Sequence, residues 1–521
     1  MMYKNICELF ELNVRRYPDK TAIVSTDSRI TYCQLNRRVN RTANALLSLG
    51  VCPGDHVAFI LPNSIELVQI YYAIQKIGAV AVPLDPKLAV KEIVFLLDYV
   101  NAKVLLLSAK SLDKLRQSLD KLSTVRHLIA LTRTENIPYC LDTLTERASE
   151  DEPPAFRQSD ALSRIQFTGG STDMPRGVMR THEADLTEIA GIMIYNGIGA
   201  DADEVVLIQC PLGHHGGHSW YTAVFSSGGT LVISDAFDPE TILRQIERER
   251  VTYMLLLPPS VYLRLCDSPL IGKFDVSSVK VIQSSAGGIS PEIVIRISET
   301  FSGCKIYYGW GQTESGLGTS LVLTRSMVQQ NLPQIRSVGR AMPFLEMRVI
   351  DENGNTLPAG KPGELAVKSA AVMSGYYGRP ELTAEMLGED GWLRTGDIMY
   401  MDDKGYAYML SRKKDMIKSG GENIFAGEVE SVIMQHPSVE QCVVVGVDDP
   451  DLSEAVLAVV RLREGCTLTL EDLQTHCKRL MASHKKPRYL EFVESFDISD
   501  AGKIRKPALR EKYKAFYNQA K

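Results

Sequence analysis

The sequence predicts an α/β protein of two unequal parts: a large N-terminal domain of parallel or mixed sheets with helices and a small β subdomain, and a smaller α+β C-terminal domain. Three observations carry that prediction. Apolar strands alternate with amphipathic helices in a βαβ rhythm over the first 300 or so residues. Near Ala341 the texture changes to short alternating strands between Asp/Asn/Gly turns, and past Ser411 a second α/β segment begins. At 521 residues the chain also exceeds the size at which one hydrophobic core stops growing. We set the domains at residues 1–411 and 412–521.

The elements follow in order. Ile30 to Leu49 places Leu35, Val39, Ala43, Leu46 and Leu47 at helical spacing, with Thr31 as N-cap. VAFIL (57–61), the helical stretch Ile65 to Ile77, and AVAVPLDP (79–86) read as strand, helix, strand, and VLLLS (104–108) repeats the unit. VVLIQC (205–210), TLVIS (230–234), YMLLLPPS (253–260) and VKVIQSSAGG (279–288) are expected to continue the same parallel sheet, the last ending in Gly/Ser where ligand loops follow strand C-termini. EMRVID, GELAVKS and YAYML form the small β unit. A helix from Ala426 to Gln435, a strand over 441–447 and a basic helix from Pro507 to Lys521 complete the chain.

Composition excludes several classes. A net charge of −5 with 23% charged residues leaves no basic footprint for nucleic acid. The ten cysteines are scattered with no CxxC pair, which fits reduced thiols and a cytoplasmic protein. No apolar run approaches the ~20 residues of a membrane span, and the N-terminus lacks the apolar stretch of a signal peptide.

Gln166 to His182, QFTGGSTDMPRGVMRTH, has the ingredients of a phosphate loop. Gly169 and Gly170 permit close backbone approach, Ser171 and Thr172 bring hydroxyls, and Arg176 brings a cation. It is not a Walker loop, because Val178 follows Gly177 where Lys and Ser/Thr are required. By itself it also reads as a plain Gly/Ser/Thr loop. YGWGQTES (308–315) adds an aromatic able to stack on a purine and, in Glu314, a carboxylate able to hold Mg²⁺. Asp397, ending WLRTGD, suits a pair of ribose hydroxyls or an Asx turn, and SRKKDMIKSGGENI (411–424) follows.

In this order the motifs resemble the adenylate-forming superfamily of acyl-CoA synthetases, peptide-synthetase adenylation domains and luciferases, over essentially the whole chain. ITYCQLNRRVNRTANAL, QKIGAVAVPLDP, GELAVKSAAVMSGYYGRPELT and the closing AGKIRK match too. The resemblance implies that Thr168, Gly169, Gly170, Ser171, Thr172 and Arg176 hold the β- and γ-phosphates of ATP, with Thr172 and Glu314 at Mg²⁺. It puts Trp310 at the adenine-stacking position beside Gly311 and Thr313, Ala286 and Gly287 at the adenine border, and Asp397 and Arg412 on the ribose. Lys414 takes the hinge position, and Lys503 becomes the catalytic lysine that contacts carboxylate and α-phosphate. A mobile C-terminal domain would close for adenylation, then swing to present Gly420 and Gly421 to a pantetheine tunnel. Gly213 and His214, with Ser284 and Ser285, fall at the acyl pocket.

Three departures matter. Asp173 stands where the family has Gly, and a carboxylate about 6 Å from a phosphate charge costs roughly 3 kcal/mol at an effective dielectric of 20 unless it faces water. Arg176 replaces the usual Lys, a milder change. In PLGHHGGHSW, Gly213 replaces Phe, and no Asp is present to pair an α-ammonium group, which favours a carboxylic acid without one. His214, His215 and His218 lack a carboxylate partner at recognisable spacing, so zinc is not expected. The expected enzyme is an AMP-forming acyl-CoA synthetase using ATP, Mg²⁺, CoA and a small-molecule acid. The rivals are an enzyme that loads a carrier-protein pantetheine and a nucleotide-binding protein without catalysis.

Overall fold

The computed structural model describes residues 3–135, 137–168, 175–199, 203–234, 236–285, 287–497, 504–514 and 516. Gly169, Gly170, Ser171, Thr172, Asp173, Ala286 and Lys503 lie outside the described residues. The chain divides into two compact units, Met1–Ile335 with Ala341–Glu346 and Lys368–Leu393, and Arg336–Arg340 with Met347–Val367 and Arg394–Lys521.

The first unit holds two large sheets, and the strands after residue 200 do not continue the one begun by residues 57–108. One runs, in spatial order, Gly375–Tyr376, Arg176–Thr181, Leu162–Thr168, Val80–Pro83, His56–Ile60, Val104–Leu107, His127–Ala130 and Tyr139–Cys140. The strands after residue 200 build a second sheet instead, with Thr21–Val24, Thr230–Ile233, Val205–Ile208, Tyr253–Leu255, Val281–Ser284 and Lys305–Tyr308 parallel. The break comes where Leu162–Thr168 and Arg176–Thr181 pair antiparallel and Gly375–Tyr376 adds on beyond them, completing that edge. Hydrophobic alternation reveals a strand but not its neighbour.

Side chains from both sheets share one apolar cluster with the helices Cys7–Arg16, Tyr32–Ser48, Ile65–Lys76 and His215–Ser227. Ile65–Lys76 is buried at every residue but Glu66, and its buried polar side chains find partners, Gln69 with Thr42 and Lys76 with Asn40. Tyr32–Ser48 begins at Thr31 as expected, because Thr31 and Gln34 form a reciprocal capping box.

The second unit contains the expected small β sheet, in the order Glu346–Ile350, Gly363–Lys368, Leu393–Met401 and Ala407–Arg412. It also contains a C-terminal sheet of Glu422–Phe425, Met416–Ser419, Ser453–Leu462 and Val439–Asp449, with Tyr489–Phe492 parallel to Ser453–Leu462. Helices Ala426–Ile433 and Leu470–Leu480 bury Val429, Ile433, Leu473 and Cys477 in the apolar cluster of that sheet. The last described helix is Lys506–Tyr513, within the basic stretch expected to be helical, whose residues 515 and 517–521 lie outside the described residues. Among the described residues no helix is long and apolar enough to cross a membrane.

Candidate active site

Thr168 ends one strand of the antiparallel hairpin and Arg176 begins the other, directly opposite it, so a hydroxyl and a guanidinium flank the connecting loop. Arg176 lies over the Tyr376 ring at 5.7 Å from its centroid, and the Tyr376 hydroxyl donates to Glu314 Oε1 at 3.0 Å. One tyrosine therefore touches both the cation of the hairpin and the carboxylate of the YGWGQTES segment. Burial and the adjacent Glu314 push the Tyr376 hydroxyl above its ordinary value, so it remains a donor.

Glu314 sits in the turn of a tight hairpin in which Gly311–Gln312 pairs with Gly316–Leu317. Its carbonyl accepts from the Met373 N–H at 2.8 Å. Arg180 donates to the carbonyls of Thr313 and Ala371 at 3.3 and 2.8 Å, fixing the backbone on both sides.

Arg180 belongs to a buried charge network that sequence reading missed. Asp185 accepts from Ser163 Oγ at 2.6 Å, from Arg164 at 2.7 and 3.1 Å, and from Arg180 Nε at 2.9 Å. Arg180 Nη2 also donates to Glu188 Oε2 at 2.8 Å, and Glu188 Oε1 accepts the Leu317 N–H at 3.0 Å. Burial opposes charge on Asp185, yet Arg164 and Arg180 hold it well below the usual carboxylate range. Burial likewise opposes charge on Glu188, and the His215 ring and the Arg180 guanidinium outweigh it, bringing the carboxyl down to about 2. Such a network adds little net stability, but each partner is expensive to remove and the geometry it imposes is specific. Here it locks the hairpin of Glu314 to the strand that starts at Arg176. The signal available in the sequence was two arginines in one short antiparallel pair, Arg164 and Arg180, with Asp185 and Glu188 one helical turn apart.

The three histidines after Pro211 diverge. His215 Nδ1 faces Arg164 Nη2 at 3.1 Å, and its Nε2 faces Glu188 Oε1 at 3.2 Å. Because arginine only donates, Nδ1 carries the lone pair and Nε2 the proton, which is the neutral ring that burial favours. His218 is buried against Tyr71 at 4.4 Å between ring centroids, and desolvation keeps it far below its ordinary value. His214 pairs with Asp85 through Nε2 at 3.4 Å. Two carboxylates thus do meet this segment, but from 129 and 27 residues away, which no local spacing reveals. Among the described residues no group of three metal-ligating side chains converges.

The remaining residues of the first unit fall as follows. Trp310 is largely buried, with its ring against Gly318, where an added Cβ would come within 2.4 Å of the indole. Gly287 is exposed at the end of strand Val281–Ser284, and its carbonyl accepts from Tyr308 Oη at 3.0 Å. Ser284 is buried and its hydroxyl lacks a protein partner among the described residues, while Ser285 is half-buried. Gly213 packs near Pro83 and Leu67, on the route to His214.

In the second unit Asp397 and Arg412 stand directly opposite each other on paired strands, with Arg412 Nε 2.7 Å from the fully buried Asp397 carboxylate. Lys414 is exposed, and its carbonyl accepts from Arg510 Nη1 at 2.8 Å. Gly420 and Gly421 have φ of +58° and +84° and form the two-residue turn between Met416–Ser419 and Glu422–Phe425. Left-handed backbone at both positions is itself sufficient reason for glycine there.

The model of the AMP-binding enzymes matches residues 10–377, and that of their C-terminal domain matches residues 428–503. The chain belongs to the AMP-binding enzymes. It is 33% identical over 502 residues to a feruloyl-CoA synthase from an Amycolatopsis species, covering 96% of this chain and 97% of that one. A solved fatty acyl CoA synthetase from Mycobacterium tuberculosis is 30% identical, covers 98% of both chains and superimposes with a TM-score of 0.79. The solved amide bond synthetase McbA from Marinactinospora thermotolerans is 27% identical, covers 98% of this chain and 100% of that one, and has a TM-score of 0.86. This member of the adenylate-forming superfamily is an enzyme of the acid–thiol ligase kind, with the α/β architecture expected of it.

Proposed function

We propose that the enzyme activates a carboxylic acid with ATP, releasing pyrophosphate, and passes the acyl group from acyl-AMP to the thiol of CoA. The observation that carries this is Tyr376, which holds the Glu314 carboxylate while packing under Arg176 at the mouth of the loop expected to wrap ATP phosphates. A carboxylate and a guanidinium fixed on one scaffold suit a polyphosphate with its cation. Glu314, with Thr172 of the loop, would hold Mg²⁺, whose chemistry there is to offset charge on phosphate oxygens.

The chain's own groups account for the rest. Trp310 and Gly287 border the adenine, and Asp397, already oriented by Arg412, accepts from ribose hydroxyls. Lys503 offsets the repulsion between carboxylate and α-phosphate. A C-terminal domain beginning at residue 412 would turn about Lys414 between the two half-reactions, bringing Gly420 and Gly421 to the thiol path. The acid lacks an α-ammonium group.

ATP–pyrophosphate exchange over a panel of carboxylic acids, followed by product analysis with CoA, tests the reading. Exchange with at least one acid and conversion to acyl-CoA is expected. Exchange with amide formation on an added amine, as the name of the McbA relative would suggest, or acylation only of a carrier protein, would assign a different acceptor. No exchange with any acid would leave a nucleotide-binding protein without catalysis.

A further inference from the structure

Glu188 lies buried on helix His182–Asn196 and gathers donors from three separate segments of the first unit. Arg180 Nη2 reaches Oε2 at 2.8 Å, while the Leu317 N–H at 3.0 Å and His215 Nε2 at 3.2 Å share Oε1. Burial opposes its charge, but the His215 ring and the Arg180 guanidinium keep the carboxyl ionised, so it accepts and does not donate. Backbone meets it directly. Gly316 has a φ of +72°, and a Cβ added there would come within 3.0 Å of Glu188 Cδ.

What rests on that carboxylate is the hairpin whose turn holds Glu314. Gly311–Gln312 and Gly316–Leu317 form a very short ladder, and an isolated two-stranded hairpin is marginal in water even when longer. The turn closes on itself through Ser315, whose hydroxyl accepts the Gln312 N–H at 3.2 Å and donates to the Gly316 carbonyl at 2.9 Å. Those bonds shape the turn without fixing where it sits. The bonds that fix its place include Glu188 at the Leu317 N–H, Arg180 at the Thr313 carbonyl and the Met373 N–H at the Glu314 carbonyl. Arg180 is itself held by Glu188, so the first two run through one carboxylate. Asp185, in the same network, accepts from Ser163, Arg164 and Arg180, and among the described residues it has no bond to the hairpin.

We propose, on the basis of the acid-activation reading under Proposed function, that Glu188 is a positioning residue for adenylation: it sets the hairpin so that the Glu314 carboxylate stands where a divalent cation on the ATP phosphates needs it. A Gln at this place offers one oxygen to three donors. Its amide must turn toward Arg180, or toward the Leu317 N–H and His215, and either way donor meets donor. The hairpin then shifts while the sheets and helices around it remain. Acyl transfer from a finished adenylate takes place after pyrophosphate has left, so it does not draw on this carboxylate.

The test compares Glu188→Gln with Asp185→Asn, which breaks the same buried network away from the hairpin. ATP binding is followed by calorimetry at increasing Mg²⁺, beside pyrophosphate exchange and transfer from supplied acyl-AMP to CoA, at a temperature where each variant is folded. Glu188→Gln should need about 10- to 100-fold more Mg²⁺ for tight ATP binding and lose exchange on the same scale, the cost of removing the support of a metal-binding carboxylate, with transfer near the wild-type rate. Asp185→Asn should lower the melting temperature yet shift the Mg²⁺ dependence far less. Gly316→Ala leaves the network whole and puts a methyl against Glu188 Cδ, so it should reproduce the Mg²⁺ shift and checks the proposal even if Glu188→Gln does not fold. Unchanged Mg²⁺ dependence in Glu188→Gln and Gly316→Ala, an equal fall in both half-reactions, or an equal shift in Asp185→Asn would overturn the assignment. Wild-type enzyme that binds ATP without regard to Mg²⁺, or exchanges pyrophosphate with no acid, would instead remove the acid-activation reading, and this inference with it.

Discussion

Around Arg180 two guanidiniums and two carboxylates lie fully buried and are bonded to backbone on three segments, whereas around Gly420 the charged side chains Lys413, Lys414, Lys418 and Glu422 are exposed above a core of Ile417, Ile424, Val429 and Val444. The first region fixes positions through directional bonds that exchange with nothing. The second keeps its cations at the surface, Lys413 in an ion pair with Glu364 at 3.0 Å and Lys418 exposed, where water and salt screen them. Enzymes that run two chemically distinct half-reactions need both kinds of region: one that holds nucleotide and acid in place, and one whose groups engage and withdraw.

The sharpest way to break the comparison is to remove one buried charge and one surface charge. Arg180→Met leaves Asp185 and Glu188 without their shared partner and should destabilise the protein by about 3–5 kcal/mol. Lys485→Ala, which removes a partly exposed pair with Glu428 at 2.7 Å, should cost roughly 1 kcal/mol or less. Urea unfolding of both variants measures the contrast, and similar losses would show that burial is not what separates the regions.

Acid should reveal the same asymmetry with a somewhat smaller effect. His182 begins the helix that carries Asp185 and Glu188, and desolvation lowers its imidazole from 6.5 to about 4. The unfolded chain therefore takes up this proton first. Stability is fully present above about pH 6.5 and declines as pH falls toward 4, by of order 3 kcal/mol for this group. Glu188, at about 2 against an ordinary 4.5, extends the loss to lower pH. His182→Gln should flatten the upper part of the curve in stability measured against pH.

A smaller effect sharpens the view of the C-terminal turn. Gly421→Ala places a side chain at a φ of +84° and should cost about 1 kcal/mol of stability. If the glycines serve only the turn, both half-reactions should fall together and slightly. A selective loss of acyl transfer would instead support their role along the thiol path.

Much of the fold was legible because local signals agreed. Thr31 capped the helix it announced, and the strands of the βαβ units began within a few residues of where the apolar runs put them. The partition into two sheets was not legible, since strand partners are chosen by packing across distant sequence. At the site, Thr168 and Arg176 flank the expected loop as paired residues of an antiparallel hairpin that the loop's composition did not announce, and Asp397 and Arg412 face each other on paired strands. The buried network was missed because Arg164 and Arg180 look like ordinary strand residues, and the partners of His214 and His215 come from loops and helices far along the chain.

The proposed function divides labour between a fixed site and Lys503, which is expected to serve one half-reaction only. The direct measurement is to assay Lys503→Ala for pyrophosphate exchange and for acyl transfer from supplied acyl-AMP. Exchange should fall by about 10²- to 10³-fold, as removal of one charge-stabilising group does, while transfer to CoA continues near the wild-type rate. An equal fall in both half-reactions would contradict the account.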